Sequence, residues 1–357
     1  NAVDEVLAGA CSLIQVEIHP DGAVTVTDNG RGIPTGMHAE KGRPTLELVF
    51  TELHAGGKFK EGSYSTSGGL HGVGVKATNA LSEWLEVVVH RDGVRYRQRY
   101  EHGRVCGPVE VLAPGNDTII GTVGEAGLST AVKMHADARR PTGTSVSFMP
   151  SSEYMEVTRF DFAAVAHRLQ VAAYLIPDLA LGLVDERGPE ARVREYCFKG
   201  GLEAYVRHLN EGREAIHERP IRVNGAIEGG ARVEAVLQYH DADDEEILSF
   251  VNTIPTADGG THVSGFRAAL TKAINVFGQE KKQIAAGKES VTGRDATAGL
   301  TAALSVLHPE PEFTSQTKSQ LGNRELHGQV MSIVYEGLLD QLRRDAGLGR
   351  RIVERCL

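Results

Sequence analysis

Apolar and polar residues alternate in several short segments of the first 150 residues, and this pattern predicts β-strands. The predicted strands are residues 13–18, 23–27, 84–91, 94–100 and 144–149. Asp21-Gly22 separates the first two strands and Asp92-Gly93 the next two, and both dipeptides are typical of hairpin turns. We therefore expect a mainly antiparallel sheet in this part of the chain.

Apolar residues spaced three and four apart predict helices around and after these strands. The predicted helices are residues 1–9, 45–53, 73–81, 160–175, 202–209, 262–277 and 324–344. Further strands are predicted at residues 179–185, 232–239, 247–252 and 302–308. The mixture predicts an α+β protein of two domains, residues 1–150 and 151–357, with an insertion-like surface loop of no assigned role at 107–141.

The composition narrows the classes of protein that fit. The chain has 357 residues, enough for two domains with their own cores, and a formal charge of −9, which argues against a nucleic-acid binder acting by itself. Its four cysteines show no CxxC spacing, so neither zinc nor a disulfide framework is indicated. It shows no apolar run of membrane-spanning length and no signal peptide, so we expect no membrane contact and a cytoplasmic location.

A glycine-rich segment leads into the apolar helical pattern that starts at residue 73. The segment consists of Gly68, Gly69, Leu70, His71, Gly72, Val73 and Gly74. Glycines before a helix leave backbone N–H groups available to an anion, most often a phosphate. Glycine loops before helices are common, so this segment alone is weak evidence for a phosphate site.

A single acid followed by glycine ends the predicted strand 23–27, as Asp28-Asn29-Gly30. A carboxylate at that place can accept a hydrogen bond from an exocyclic amino group such as that of adenine. The alternative is a plain turn. Taken together with the phosphate segment, Asp28 predicts an ATP site.

Asn1 and Glu5 lie on one face of the first predicted helix, at i and i+4. One interpretation is a capped, solvated helix start. The other is that Asn1 offers its amide oxygen to Mg²⁺, a cation that takes oxygen ligands and keeps several waters.

These three segments resemble the successive sequence boxes of the GHKL ATPases. Further segments resemble the B subunits of the type II topoisomerases, the family of gyrase B. They are residues 53–59, 67–74, 252–255, 258–262 and 315–318. The resemblance extends over nearly the whole chain, and the last segment is specific to type II topoisomerases among GHKL proteins.

The resemblance implies a GHKL (Bergerat) α/β sandwich followed by a transducer domain like domain 2 of ribosomal protein S5. It implies an ATP-hydrolysing clamp that couples dimerisation of the chain to passage of double-stranded DNA and to negative supercoiling. Its cofactors would be ATP and Mg²⁺, and its partner would be the gyrase A subunit in an A2B2 heterotetramer. The B subunit of topoisomerase IV and a GHKL chaperone-type ATPase remain as alternatives.

The resemblance also implies roles for individual residues. Asp28 would bind the adenine amino group, with a water supported by Thr144, and Asn1 would hold Mg²⁺. Val26, Ile33, Pro34 and Val146 would form the walls of the adenine site, and Arg31 and Gly32 would also bind the nucleotide. Ribose and phosphates would be covered by Lys58, Tyr64 and residues 68–74. Gln316 and Lys318 would contact the γ-phosphate as the catalytic pair, and Asp28, Arg31 and Arg97 would bind aminocoumarin inhibitors.

Two further features qualify these expectations. The family's general-base glutamate lies four residues before the asparagine that matches Asn1, and the family's dimerising arm precedes it, so we expect this stretch by itself to bind ATP with little or no turnover. His71 is interpreted as shaping the glycine loop rather than as a base. The arginines near the C-terminus either complement a helix end or face DNA. They are Arg343, Arg344, Arg350, Arg351 and Arg355.

Overall fold

The structure, a computed structural model, describes residues 1–52, 72–112, 142–285 and 291–357. The chain divides into two compact units, Asn1–Lys199 and Gly200–Leu357. This division corrects the predicted boundary at 150/151, because residues 151–199 pack with the first unit. The mixed helix and sheet content confirms the predicted α+β class.

The described strands of the first unit form one sheet. They are β1 (Leu13–Ile18), β2 (Val24–Asp28), β3 (Ser82–Arg91), β4 (Val94–Glu101), β5 (Arg104–Val105), β6 (Glu110–Leu112), β7 (Gly143–Pro150), β8 (Ala180–Asp185) and β9 (Arg192–Tyr196). Their order is β5-β4-β3-β7-β2-β1-β8-β9, and β6 also pairs with β4. The pairing of β1 with β8 is parallel, and the other pairings among these strands are antiparallel.

The parallel pair of β1 and β8 explains why the predicted boundary was wrong. Every residue of β8 is buried, and the strand is a continuous apolar run without alternation up to its last residue, Asp185. Such a run does not indicate which strand it joins. In the structure Ile14 lies opposite Leu181 and Val16 opposite Leu183. The segment that follows residue 150 therefore completes the first core.

Helices cover one face of this sheet. They are α1 (Ala2–Leu7), α2 (Thr45–Thr51), α3 (Gly74–Ala80) and α4 (Phe162–Leu175). Phe50 of α2 packs with Val87 of β3, and Ala166 of α4 packs with Val24 of β2. The opposite face carries polar pairs such as Thr25 with Ser147, whose hydroxyl oxygens are 2.8 Å apart. Because side chains alternate along a strand, Asp28 projects to the same face as Val24, on the helical side.

The second unit has its own sheet and core. Its strands are β10 (Ile221–Ala226), β11 (Arg232–Tyr239), β12 (Glu246–Val251), β13 (Ile254–Pro255) and β14 (Leu300–Leu307), in the order β10-β11-β14-β12-β13. Its helices are α5 (Gly201–Leu209), α6 (Thr261–Glu280), α7 (Gly293–Thr297), α8 (Glu325–Arg344) and α9 (Ala346–Cys356). Helices α6 and α8 pack along each other, and Phe266 and Val330 lie in one apolar cluster with the sheet.

Most predicted strands and helices are confirmed to within a few residues in the part of the chain that is described. Of the predicted loop 107–141, residues 110–112 form β6 on the edge of β4, and residues 113–141 lie outside the described ranges. Every helix within the described residues is too short or too polar to cross a bilayer.

Candidate functional site

Asp28 ends β2 and is almost completely buried, and we call this residue and its immediate neighbours the pocket. Its side chain is only 7% exposed, and its Oδ1 accepts a hydrogen bond from the backbone N–H of Gly30 at 2.8 Å. Thr144 of β7 lies directly opposite in the register, and its backbone also hydrogen-bonds the carboxylate. Burial raises the pKa of Asp28 to about 6, against the two backbone hydrogen bonds, which lower it. The carboxylate oxygens of Asp28 can accept a further hydrogen bond.

The glycines after Asp28 are required by how closely the chain packs there. A Cβ on Gly30 would lie 2.7 Å from Oδ1 of Asp28. Gly32 has a φ of +74°, and a Cβ there would lie 2.6 Å from the carbonyl oxygen of His90. The segment therefore turns tightly back over β3, which a side chain at either position would prevent. Close packing beside the acid therefore requires glycine at both positions.

Glu5 of α1 is a site residue that sequence analysis named only for its helical spacing. Oε2 of Glu5 accepts hydrogen bonds from the backbone N–H of Arg31 at 3.1 Å and from Nε of the same arginine at 3.0 Å. Oε1 of Glu5 accepts a hydrogen bond from Nη2 of Arg31 at 2.9 Å. The pair is a two-pronged guanidinium–carboxylate contact, the geometry that holds an arginine most firmly. It fixes the predicted residue Arg31 at the edge of the pocket.

Arg91 and Thr142 also belong to this pocket and were not predicted. Nη1 of Arg91 donates to the carbonyl of Gly32 at 2.7 Å, and Oγ1 of Thr142 donates to the carbonyl of Gly30 at 2.7 Å. Both contacts are to backbone oxygens, so nothing in the side-chain chemistry indicated them. The signal that could have found Arg91 is its place at the end of β3, just before the Asp92-Gly93 turn.

Arg97, which was predicted as an inhibitor contact, lies away from Asp28. It sits on β4, three strands from β2, and strands lie about 4.8 Å apart, which places its backbone roughly 14 Å from that of Asp28. Its guanidinium pairs with Glu110 at 2.8 Å on the exposed edge of the sheet. Arg97 lies opposite Val88 in the pairing of β3 with β4. The preceding residue, Tyr96, packs against the apolar cluster on the helical face of the sheet. The structure therefore does not bring Arg97 into the pocket.

The structure describes each of the four apolar residues that were predicted to wall the base. Val146 lies opposite Val26 across β2 and β7. Val146 and Ile33 both pack against the apolar cluster under α2, which includes Leu46. Pro34 is exposed.

Of the predicted phosphate segment, the structure describes only the end. Gly72 has a φ of +58°, and α3 begins at Gly74 after Val73, with no side-chain cap at its N-terminus. Lys76 donates through Nζ to the carbonyl of Gly72. Lys58, Tyr64, Gly68, Gly69, Leu70 and His71 lie outside the described residues.

Asn1 precedes α1, and its side chain makes no capping hydrogen bond to that helix. The helix places it one turn from Glu5, whose carboxylate is already engaged by Arg31. Within the described ranges, no three His, Cys, Asp or Glu residues cluster as metal ligands. Mg²⁺ commonly takes one or two protein oxygens and completes its shell with phosphates and water, so a single amide oxygen fits such a site.

Gln316 and Lys318 lie at the tip of an exposed loop in the second unit. Lys318 adopts a φ of +58°, and its Nζ lies 5.9 Å from the ring centre of Phe313. A left-handed backbone is uncommon for a residue with a side chain and indicates a tightly formed turn. The tip presents one amide and one cationic group together.

The C-terminal arginines are largely matched by acids. Arg343 pairs with Glu280, Arg344 with Asp340 at 2.9 Å, and Arg355 with Asp243 at 2.8 Å. Arg350 and Arg351 follow on α9. The carboxylates offset much of the positive charge, so this cluster is weaker support for DNA contact than the sequence alone indicated.

Family models match both halves of the chain. A model of histidine kinase-, DNA gyrase B- and HSP90-like ATPases matches residues 1–118, and a model of DNA gyrase B matches residues 201–357. Among curated relatives, the DNA gyrase B subunit of Thermotoga maritima is 45% identical over 95% of this chain and 50% of its own length. The DNA topoisomerase 4 B subunit of Staphylococcus epidermidis is 40% identical over 100% of this chain and 50% of its own length. The chain spans about half the length of these relatives.

Solved structures show the same architecture. The 43K ATPase domain of Thermus thermophilus gyrase B, solved in complex with an aminocoumarin, is 32% identical, with a TM-score of 0.77 over 100% of this chain and 85% of that one. The ATP-binding domain of Francisella tularensis topoisomerase IV, solved with a small-molecule inhibitor, is 29% identical to this chain. The match has a TM-score of 0.76 and covers 100% of this chain and 88% of that one. These matches confirm the predicted GHKL and transducer folds.

Proposed function

Because the chain belongs to the DNA gyrase B family, we propose that it binds and hydrolyses ATP as the clamp of a bacterial type II topoisomerase. In this proposal ATP-driven dimerisation of the chain is coupled to DNA strand passage and negative supercoiling. The observation that carries it is the buried carboxylate of Asp28, held at a strand end by backbone N–H groups and closed in by Gly30 and Gly32.

The proposed role of Asp28 is to read the base. Its carboxylate accepts from the amino group of adenine, directly and through a water that Thr144 supports. Ile33 and Val146 provide apolar contact with the ring. A charge-assisted hydrogen bond in a buried pocket contributes about 1.5–3 kcal/mol, enough to select adenine over a base with a carbonyl at that position.

The phosphate end is assigned to the segment that begins before α3. Gly68 to Gly74, with Lys58 and Tyr64, close over ribose and phosphates, and Asn1 gives its amide oxygen to Mg²⁺. The metal, when bound, neutralises charge on the phosphate oxygens. The protein groups would bind and orient the nucleotide.

The γ-phosphate is assigned to Gln316 and Lys318. The lysine is a compact cation suited to charge that develops on the terminal phosphate, and the amide donates beside it. Hydrolysis then removes the phosphate group that the lysine contacts.

The partners follow from the same family. We propose the gyrase A subunit, in an A2B2 assembly, as the partner that cleaves double-stranded DNA, and the cytoplasm as the place of action. The second candidate function is that of the topoisomerase IV B subunit, favoured by the 40% identity to the Staphylococcus epidermidis protein. Supercoiling of relaxed plasmid by the reconstituted holoenzyme separates them, since only a gyrase introduces negative supercoils.

The test uses the full-length protein, with Lys318→Ala as the variant and Lys199→Ala, at an exposed lysine of the first unit, as the control. The unmodified protein should hydrolyse ATP, the control should match it, and Lys318→Ala should lose turnover at least about tenfold while ADP affinity stays within about twofold. ADP has no γ-phosphate for the lysine to contact. Absence of ATP hydrolysis by the full-length protein would refute the proposed function.

A further inference from the structure

The tip that carries Gln316 and Lys318 stands on a short antiparallel hairpin. Phe313 bridges to Leu321, the N–H of Gly322 donates to the carbonyl of Glu312 at 2.7 Å, and the N–H of Thr314 donates to that of Gln320 at 3.1 Å. We name residues 312–322 the tip hairpin. Its return segment, 319–322, is therefore hydrogen-bonded along one edge.

The other edge of the return segment is hydrogen-bonded to residues 258–261. Gly260 forms a parallel bridge with Leu321. The N–H of Asp258 donates to the carbonyl of Ser319 at 2.9 Å, and the N–H of Leu321 donates to that of Gly259 at 3.1 Å. Thr261, the first residue of α6, donates to the carbonyl of Leu321 at 3.3 Å. The return segment thus lies between two backbones.

Gly260 is the point of closest approach between these segments. Its φ is 134° and its ψ −163°, a conformation essentially restricted to glycine. A Cβ there would lie 2.4 Å from the carbonyl oxygen of Leu321 and 2.6 Å from its nitrogen. These are backbone atoms of the hairpin, so no rotation of a side chain could relieve the contact.

Leu321 cannot move aside at low cost. Its side chain is 1% exposed and belongs to the core cluster that also holds Phe266 of α6 and Leu326 of α8. A larger residue at 260 would therefore push the return segment, and with it the tip, rather than be accommodated beneath it. The separation of the two backbones sets where the tip stands.

We infer that Gly260 is a positioning residue for Gln316 and Lys318: its lack of a side chain lets residues 258–261 hold the tip hairpin in the pose that reaches the γ-phosphate. The inference rests on the proposed function. It assigns to the glycine pair at 259–260 a role in turnover that is separate from nucleotide binding. A displacement of about 1 Å in a catalytic group can cost on the order of a hundredfold in rate.

The test is a double-mutant cycle in the full-length protein with Gly260→Ala and Lys318→Ala. Gly230→Ala is the control, because Gly230 has a left-handed φ of +86° and no atom within 4 Å of the added Cβ. Gly260→Ala should lower kcat at least about tenfold and leave the Kd for ADP within about twofold. With Lys318 already replaced, it should lower kcat by less than about twofold, because its effect acts through the lysine.

Two results overturn the inference: an unchanged kcat in Gly260→Ala, or an equal loss of kcat with and without Lys318. Should Gly260→Ala melt below the assay temperature, the whole cycle is run at a lower temperature at which circular dichroism shows that all of its variants are folded. A kcat loss of at least about tenfold that vanishes in the lysine variant supports the inference, and any other result refutes it. Failure of the proposed function is distinct, because the unmodified protein would then not hydrolyse ATP.

Discussion

Glu5 and Asp28 are two carboxylates close enough that the charge of Glu5 raises the pKa of Asp28. Only one of them is matched by a guanidinium: Arg31 binds both oxygens of Glu5, whereas Asp28 receives backbone N–H groups. Burial therefore disfavours the ionised carboxylate of Asp28. A nucleotide base that donates a hydrogen bond to this carboxylate would stabilise the ionised form.

Asp28→Asn should weaken ATP binding about ten- to a hundredfold. The substitution keeps the shape but replaces one acceptor oxygen with a donor, which would face the amino group of adenine. The weak binding of GTP, which presents a carbonyl there, should stay the same or increase. Titration calorimetry with both nucleotides measures this. Equal losses for ATP and GTP would contradict base reading by Asp28.

The same substitution should make the protein more stable at pH 7.5. The pKa of Asp28 in the folded state, about 6, is above the ordinary value of 3.8, so its stabilising contribution is present below pH 3.8 and lost as the pH rises through 6. Above that pH the buried charge costs on the order of 3 kcal/mol. Asp28→Asn removes it, and Tm should rise by a few degrees. Asp178→Asn, at an exposed aspartate, should leave Tm unchanged; a lower Tm in Asp28→Asn argues that the charge is structural.

ATP affinity should fall as the pH is lowered from 8 to 5. At pH 5, one unit below the pKa of Asp28, about a tenth of the free protein carries the ionised carboxylate, so the loss approaches tenfold. Because the phosphates of ATP titrate in the same range, the quantity to compare is the ratio of affinities of the unmodified protein and Asp28→Asn at each pH. A constant ratio would exclude Asp28 as the titrating group.

Glu5→Gln should move this pH dependence to lower pH. Removing the charge of Glu5 lowers the pKa of Asp28, and it also leaves Arg31 without its carboxylate partner beside the pocket. The midpoint of the affinity ratio, measured as above, should shift downward. Glu83→Gln, at an exposed glutamate on β3, is the control and should leave the midpoint in place. An upward shift for Glu5→Gln would contradict the assigned coupling.

We propose that this chain binds an aminocoumarin, as the Thermus thermophilus domain does, and that Arg91→Ala weakens that binding far more than Arg97→Ala. Arg91 contacts the carbonyl of Gly32 at the edge of the pocket, whereas Arg97 is engaged by Glu110 on the exposed edge of the sheet. The loss expected for Arg91→Ala is at least about tenfold, the value of one charge-assisted hydrogen bond. Competition with a labelled inhibitor measures both. A larger loss for Arg97→Ala would restore the prediction made from sequence.

The local parts of the fold were predictable because each depends on a local pattern. Alternating residues and the dipeptide Asp92-Gly93 specify the β3–β4 hairpin, which the structure confirms. The place of Asp28 at the end of a strand was predictable as well, because the alternating residues before it indicate that strand. In these cases the residues that determine the structure are close together in sequence.

The remaining parts depend on partners far apart in sequence. The contact of Arg91 with Gly32 joins an arginine to a backbone oxygen, and any residue supplies such an oxygen. Glu5 was visible on its helix, but its pairing with Arg31 needs β2 to bring the two together. The assignment of β8 to the first sheet failed for the same reason.

The pairing of β1 with β8 also sets the order in which the first unit can be completed during synthesis. Leu13–Ile18 emerges from the ribosome before Ala180–Asp185, and its second hydrogen-bonding edge is filled only when that later strand follows. Contacts between residues so far apart in sequence form slowly, because the entropy of closing a long loop is lost before the contact stabilises the chain. Until then β1 is an open, apolar sheet edge, the kind of surface on which nascent chains aggregate. The first unit therefore keeps this edge exposed until Ala180–Asp185 has been made.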